Sequence, residues 1–274
     1  MTFWKPDTQP PQRPTADELR RYAANEADAN ERGAILYLKS YLVMRAAIGF
    51  LGIALPIALF LGDAFWLKGT MEARGSLSAY YHSGMRDVFV GALFATGVFL
   101  VTYRVVEHTL DNVLSIIAGV AVMGVALFPT TRPPEIGIPL TPLEARLGEQ
   151  RVAVVHYVCA GIFIVLLGVI SLIFGIREGR RSQERDGEAA RRSPTFWRRF
   201  HWGCAAAIGL ALAFMGVSEI SRWFSHYSLI VGETAAVFAF GISWFMKGLE
   251  LQILLGPSNA KQQSPTPVPV EASP

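Results

Sequence analysis

Six apolar stretches partition this chain, and each is close to the roughly 20 residues that a helix needs to cross a hydrocarbon core. They run 41–61, 87–103, 112–128, 152–175, 202–217 and 229–246. With 51% hydrophobic and only 17% charged residues, a soluble chain of this length would have little polar surface with which to cover so much apolar side chain. Inside a bilayer the backbone must satisfy its own hydrogen bonds, which leaves helices or closed barrels. Barrel strands alternate apolar and polar residues, whereas these stretches are continuously apolar. The expected fold is therefore all-α: a polytopic membrane helix bundle of six transmembrane helices. The second, third and fifth stretches are short, and tilt or interfacial aromatics would cover the deficit.

Basic residues orient the bundle. The segment 176–201 carries eight arginines. With six crossings, it shares a side with the N-terminal arm, the loop near residue 104 and the C-terminal tail. That side holds 17 Lys and Arg against 7 on the other. The positive-inside rule then puts both termini in the cytoplasm. The basic segment suits anionic lipid headgroups better than nucleic acid, so membrane lipids are the expected partners and nucleic acid is not. The first forty residues are polar and lack the apolar core of a removable signal, so the first helix is expected to act as the insertion signal.

Three regions follow. Residues 1–40 form a cytoplasmic arm, in which Thr15-Ala-Asp-Glu18 reads as a capping box opening a polar helix. Residues 41–248 form the six-helix domain. Residues 249–274, rich in Pro, Ser and Gln, read as a disordered tail. Pairs of small residues four apart, Gly91/Ala95 and Ala205/Gly209, are expected to let helices approach closely. Cys159 and Cys204 each lie inside an apolar stretch and imply no disulfide framework.

The six-span threading gathers scattered polar residues on the outer rim. His82 precedes the second helix, His156 lies about one turn into the fourth, and His226 precedes the sixth. Asp87 opens the second helix, Glu219 and Arg222 follow the fifth, and Glu233 lies seven residues beyond His226. The stretch Ser78-Leu-Ser-Ala-Tyr-Tyr-His82-Ser-Gly-Met-Arg86-Asp87 is the densest run of polar groups at a membrane lip, and such groups are costly to bury without a task or a partner. Each also has an ordinary structural use. Asp87 suits the start of a helix dipole, Tyr80, Tyr81, Trp223 and Tyr227 suit an interfacial belt, and His226 suits a solvated loop. His156 and Glu233 fit such uses least, because each interrupts an apolar run. The 129–151 connection, with Pro129, Pro133, Pro134, Pro139 and Pro142, is expected to lie stiffly over the bundle mouth.

Three pieces carry one resemblance. Ser78–Gly91, Ala126-Leu-Phe-Pro-Thr130 and Phe240–Gly248 resemble a family of uncharacterised bacterial multi-span membrane proteins, which implies a bacterial inner-membrane location but supplies no activity. Ser78-x-x-x-His82 followed by Asp87 is similar to the second-helix motif of the alkaline ceramidase and progestin-receptor superfamily, seven-helix zinc-dependent amide hydrolases and their relatives. There the Ser and Asp line the site and the His binds zinc. This chain departs in lacking a His-x-x-x-His pair in its last helix and in having six apolar stretches.

Two function classes follow. The first is a non-catalytic membrane protein (a sensor, transporter or assembly partner) that binds a lipid or small ligand through an outward-facing pocket including Tyr81, Arg86, Arg222 and Glu233. The second is a metal-dependent, lipid-facing hydrolase. In it His82, His156 and His226 would hold an ion, for which zinc is the suited choice. Asp87 or Glu219 would be the base, and Ser78 would stabilise an oxyanion. The binding role is the expected one.

Overall fold

The computed structural model describes residues 16–68, 72–102, 110–133, 137, 139–184 and 194–254. All regular structure among them is helical. Seven α-helices follow in chain order: α1 (Ala16–Gly62), α2 (Arg86–Thr102), α3 (Leu110–Leu127), α4 (Pro142–Leu147), α5 (Glu149–Glu184), α6 (Pro194–Ser221) and α7 (Ser225–Leu254). A π-helical turn, Asp63–Lys68, extends α1, and a short 3-10 helix, Ser78–His82, precedes α2. The expected capping residue Thr15 and the tail beyond residue 254 lie outside the described residues.

The chain divides into two compact units, Met1–Tyr41 and Leu42–Pro274. In the first, residues 16–41 are helical, and Arg32, Leu36 and Lys39 are exposed. The second holds the apolar helices. Among the described residues, four of its segments are long and apolar enough to cross a membrane: Leu42–Trp66, Glu149–Arg177, Thr195–Ser221 and His226–Leu249. The apolar part of α3, Asn112–Leu127, is shorter, and α2 has 17 residues. Four helices thus meet the length for a crossing, where six apolar stretches were expected to do so.

The bundle buries one face of each helix. On α5 the buried stripe is Ala153, His156, Phe163, Leu167, Ile170 and Phe174, the three-and-four spacing of one helical face. On α7 it is Ser228, Ala236, Phe240, Trp244 and Gly248, every fourth or eighth residue. The opposite side of α5 is exposed yet apolar, with Val154, Val158, Ile162, Val165 and Leu172. Meanwhile Ser171, His201, Ser218, Ser243 and Lys247 lie buried inside. Apolar residues on the outside and polar ones in the interior suit a lipid surround, where burying apolar side chains gives no advantage over leaving them in hydrocarbon. Helix α5 packs against α3, α6 and α7, while α2 pairs with α3 and α6 with α7.

Close approach falls at glycines other than the expected ones. A Cβ at Gly91 or Gly209 would meet nothing within 4 Å, so those two positions do not serve helix contact. Instead a Cβ at Gly97 of α2 would lie 2.9 Å from the Gly119 carbonyl oxygen of α3, and one at Gly49 of α1 would lie 2.7 Å from the Gly241 carbonyl oxygen of α7. Backbones in contact at these points leave no room for a side chain.

Candidate functional site

The polar chemistry collects where α1 ends, α2 begins, α3 ends and α5 begins. Asp63, 1% exposed, follows directly on α1 and receives both Nε (2.8 Å) and Nη2 (2.9 Å) of Arg74. This bidentate pair ties the connection after α1 back to the end of that helix. The same connection is fastened to α7 twice. Glu233 accepts a hydrogen bond from the Leu77 amide at 2.6 Å, and the Ile230 amide donates to the Gly75 carbonyl at 3.0 Å. Ser76 Oγ accepts from the Ala79 amide, which starts the 3-10 turn bearing Tyr80, Tyr81 and His82. Burial pushes the Tyr80 phenol above its ordinary value, against a hydrogen bond from the Arg74 backbone.

Two of the buried histidines, His82 and His156, meet at one short segment. His82 Nε2 donates to the Thr130 carbonyl at 2.7 Å, and His156 Nδ1 donates to the Phe128 carbonyl at 2.6 Å. A carbonyl only accepts, so those nitrogens carry the protons. The segment is held further by Tyr157, whose hydroxyl accepts from Thr130 Oγ1 at 2.9 Å and lies 3.0 Å from Thr131 Oγ1. Arg132 donates from its amide and its Nη2 to the two oxygens of Glu149, each at 2.9 Å. That bond raises the guanidinium's pKa from its already high value. Pro129 explains the arrangement: α3 cannot continue through it, and the carbonyls of its neighbours are left for side chains to satisfy.

Beside this lies a cavity of about 410 Å³ lined by Arg74, Tyr81, His82, Ser83, Gly84, Arg86, Pro139, Thr141 and Glu144. Arg86 donates from Nη2 to the Tyr81 hydroxyl at 2.8 Å, with its guanidinium carbon 4.5 Å from the Tyr81 ring centre. Glu144 is 2% exposed. One of its oxygens accepts from the Thr141 amide (2.7 Å) and the Thr141 hydroxyl (2.8 Å). Thr141 Oγ1 in turn accepts from the Glu144 amide, completing a capping box at α4. The other oxygen, Oε1, is buried without a hydrogen-bond partner.

Of the residues expected from the sequence, Tyr81, His82 and Arg86 share this cavity wall. His156 is buried and joined to His82 through the Phe128–Thr130 segment. Glu233 serves as an anchor for the 3-10 turn and does not line the cavity. Ser78 is buried, and Asp87 is exposed in the first turn of α2. Glu219 and Arg222 are exposed at the end of α6, where Arg222 and Phe224 take positive φ (54° and 57°) to make the turn into α7. His226 is exposed, against the Tyr227 ring. Ser78, Asp87 and Glu219 are thus absent from the cavity wall.

The histidines do not form the ion-binding set expected from the threading of the chain. Anchoring one imidazole nitrogen to a carbonyl is what metal-bound histidines do, and His82 and His156 both do it. But among the described residues no three His, Cys, Asp or Glu side chains are grouped to hold an ion. The expected triad of His82, His156 and His226 is not assembled, because His226 lies exposed in the first turn of α7 beside Tyr227.

Arg74, Asp63 and Glu144 were not singled out from the sequence. Thr141-Pro-Leu-Glu144 is itself a legible capping-box pattern, while nothing in sequence spacing pairs residues 63 and 74. A second polar cluster was also missed. His201 Nδ1 lies 2.9 Å from Ser243 Oγ, and the buried Arg45 places its guanidinium 4.6 Å from the Phe174 ring centre and 5.6 Å from that of Trp244. Comparison with models of protein families, with curated proteins and with solved structures gives no match.

Proposed function

We propose that the chain is a multi-pass membrane protein that binds a small ligand or lipid headgroup in the polar end of its helix bundle, without converting it. The carrying observation is the cavity of about 410 Å³ whose wall includes Arg74, His82, Arg86 and Glu144. Its volume falls in the ~300–1,000 Å³ range of small-molecule sites, and charged side chains at the end of a membrane bundle are expensive unless used. Binding is favoured over hydrolysis because the residues suited to act as base or oxyanion donor, Ser78, Asp87 and Glu219, do not line this cavity.

The proposal includes six crossings in a bacterial inner membrane with both termini cytoplasmic. Hydrogen bonds joining residues 77 to 233, 82 to 130 and 75 to 230 support a common end for these connections, as alternating crossings require. Helix α2, at 17 residues, spans ~26 Å at 1.5 Å per residue. Local thinning or flanking anchors would make up the difference from a ~30 Å core.

The test uses the purified full chain in phosphatidylcholine nanodiscs, melted with and without phosphoethanolamine, phosphocholine or inorganic phosphate. At least one probe is expected to raise the midpoint saturably. Gly84→Trp, which fills the cavity, is expected to abolish the rise. A folded protein that responds to none of them would refute the binding role.

A further inference from the structure

We infer that the cavity is a zwitterion site, which takes a primary amine and a phosphate carried on one small group, as in an ethanolamine phosphate. This rests on the binding role proposed above and narrows it to a ligand class. The wall carries two opposite charges that do not neutralise each other. Arg74 is already matched by Asp63, but Arg86 meets the Tyr81 ring and hydroxyl and has no carboxylate partner at ion-pair distance among the described residues. Glu144 is 2% exposed and keeps Oε1 without a hydrogen bond, although a guanidinium lines the same cavity.

A buried carboxyl oxygen without a donor is costly, so its persistence beside an open cavity points to a donor supplied by what binds there. A simple anion would suit Arg86 and be repelled by Glu144. A simple cation would do the reverse. A group bearing both charges satisfies both walls at once. The planar guanidinium of Arg86 offers parallel N–H donors to phosphate oxygens, and an ammonium offers three N–H donors to Glu144. Rotation about the last torsion of a glutamate is soft, so the carboxylate can turn to meet them, giving up hydrogen bonds to Thr141 as it does. A trimethylated amine has no N–H and leaves Oε1 unpaired. The same chemistry has two sources, the headgroup of phosphatidylethanolamine or a soluble ethanolamine phosphate.

Calorimetric titration of the full chain in phosphatidylcholine nanodiscs decides the matter. Phosphoethanolamine is expected to bind about tenfold or more tightly than phosphocholine or inorganic phosphate, the scale of a charge-assisted hydrogen bond. Glu144→Gln, which keeps an oxygen for the Thr141 donors, is expected to bring phosphoethanolamine to the phosphocholine level and to strengthen inorganic phosphate, whose repulsion from the carboxylate is removed. Arg86→Gln is expected to weaken all three. Repeating the titration in nanodiscs containing phosphatidylethanolamine assigns the source: a loss of soluble affinity by competition marks the lipid as the occupant, and an unchanged affinity marks a soluble ligand. Equal affinities for phosphoethanolamine and phosphocholine in the native chain would overturn the zwitterion assignment while leaving a binding pocket intact. Binding by none of the three would overturn both. If Glu144→Gln fails to fold, the comparison of the two amines on the native protein decides alone.

Discussion

Replacing Gly49 with alanine drives a methyl group into the backbone of α7. The new Cβ would lie 2.7 Å from both the Gly241 carbonyl oxygen and the Phe245 Cα, and closer still to the Phe245 amide nitrogen. Carbon atoms in good contact stand about 3.5–4.0 Å apart, so α1 and α7 must separate by roughly 1 Å. No side chain can turn aside, because every obstructing atom is backbone. Overpacking costs about 1–3 kcal/mol where neighbours can adjust, and Gly49→Ala belongs at the upper end, about 3 kcal/mol. Two companions make the series quantitative. At Gly52 the nearest atom to a Cβ is the Gly241 Cα at 3.1 Å, so a shift of a few tenths of an ångström suffices and the cost is about 1 kcal/mol. At Gly91 nothing lies within 4 Å, and alanine there changes stability by less than about 0.5 kcal/mol. Equilibrium unfolding of the three full-length variants in mixed micelles of mild detergent and dodecyl sulfate measures the order. If Gly49→Ala unfolds with Gly91→Ala at the wild-type midpoint, α1 and α7 do not cross with their backbones in contact.

Three further outcomes are expected. Thr141→Ala removes the α4 cap and the hydroxyl donor to Glu144, leaving the backbone amide donor, and lowers unfolding free energy by about 1–2 kcal/mol, with Thr141→Ser recovering most of it in the same micelle titration. His156→Ala leaves a buried void and strips the Phe128 carbonyl of its donor, costing about 3 kcal/mol; chelation with EDTA leaves the melting midpoint of the native chain unchanged, and a fall on chelation would show that a third ligand completes the histidine pair. The folded state raises the Tyr80 pKa above its ordinary 10.0, so it holds that proton more tightly than the unfolded chain does. The resulting stability is full below pH 10.0 and is lost as pH climbs through the folded value. Tyr80→Phe should flatten that part of a pH titration of the melting midpoint, and an unaltered slope would place the sensitivity elsewhere.

Helical class was legible because a bilayer forces it: long continuous apolar runs have no other way to satisfy their backbone. The approximate ends of the helices were legible for the same reason. The meeting of residues 82 and 156 was legible only through the count of turns in the chain, and the structure gives it an exact form, two imidazoles on the carbonyls flanking Pro129. Where helices touch was not legible. Gly91 and Gly49 look alike in sequence, yet one faces open space and the other the backbone of α7, and facing depends on rotation about the helix axis, which periodicity in a uniformly apolar segment does not fix.

The amino-acid order therefore determined that this chain is a set of apolar helices with a polar rim, since hydropathy is a local property that each segment carries by itself. Which rim residues share a cavity is a matter of chain segments far apart in sequence coming to one place. Asp63 on Arg74, Glu233 on Leu77, and Arg86 in one cavity wall with a half-satisfied Glu144 were decided by tertiary structure alone, because hydrogen bonds select partners by distance and direction in space.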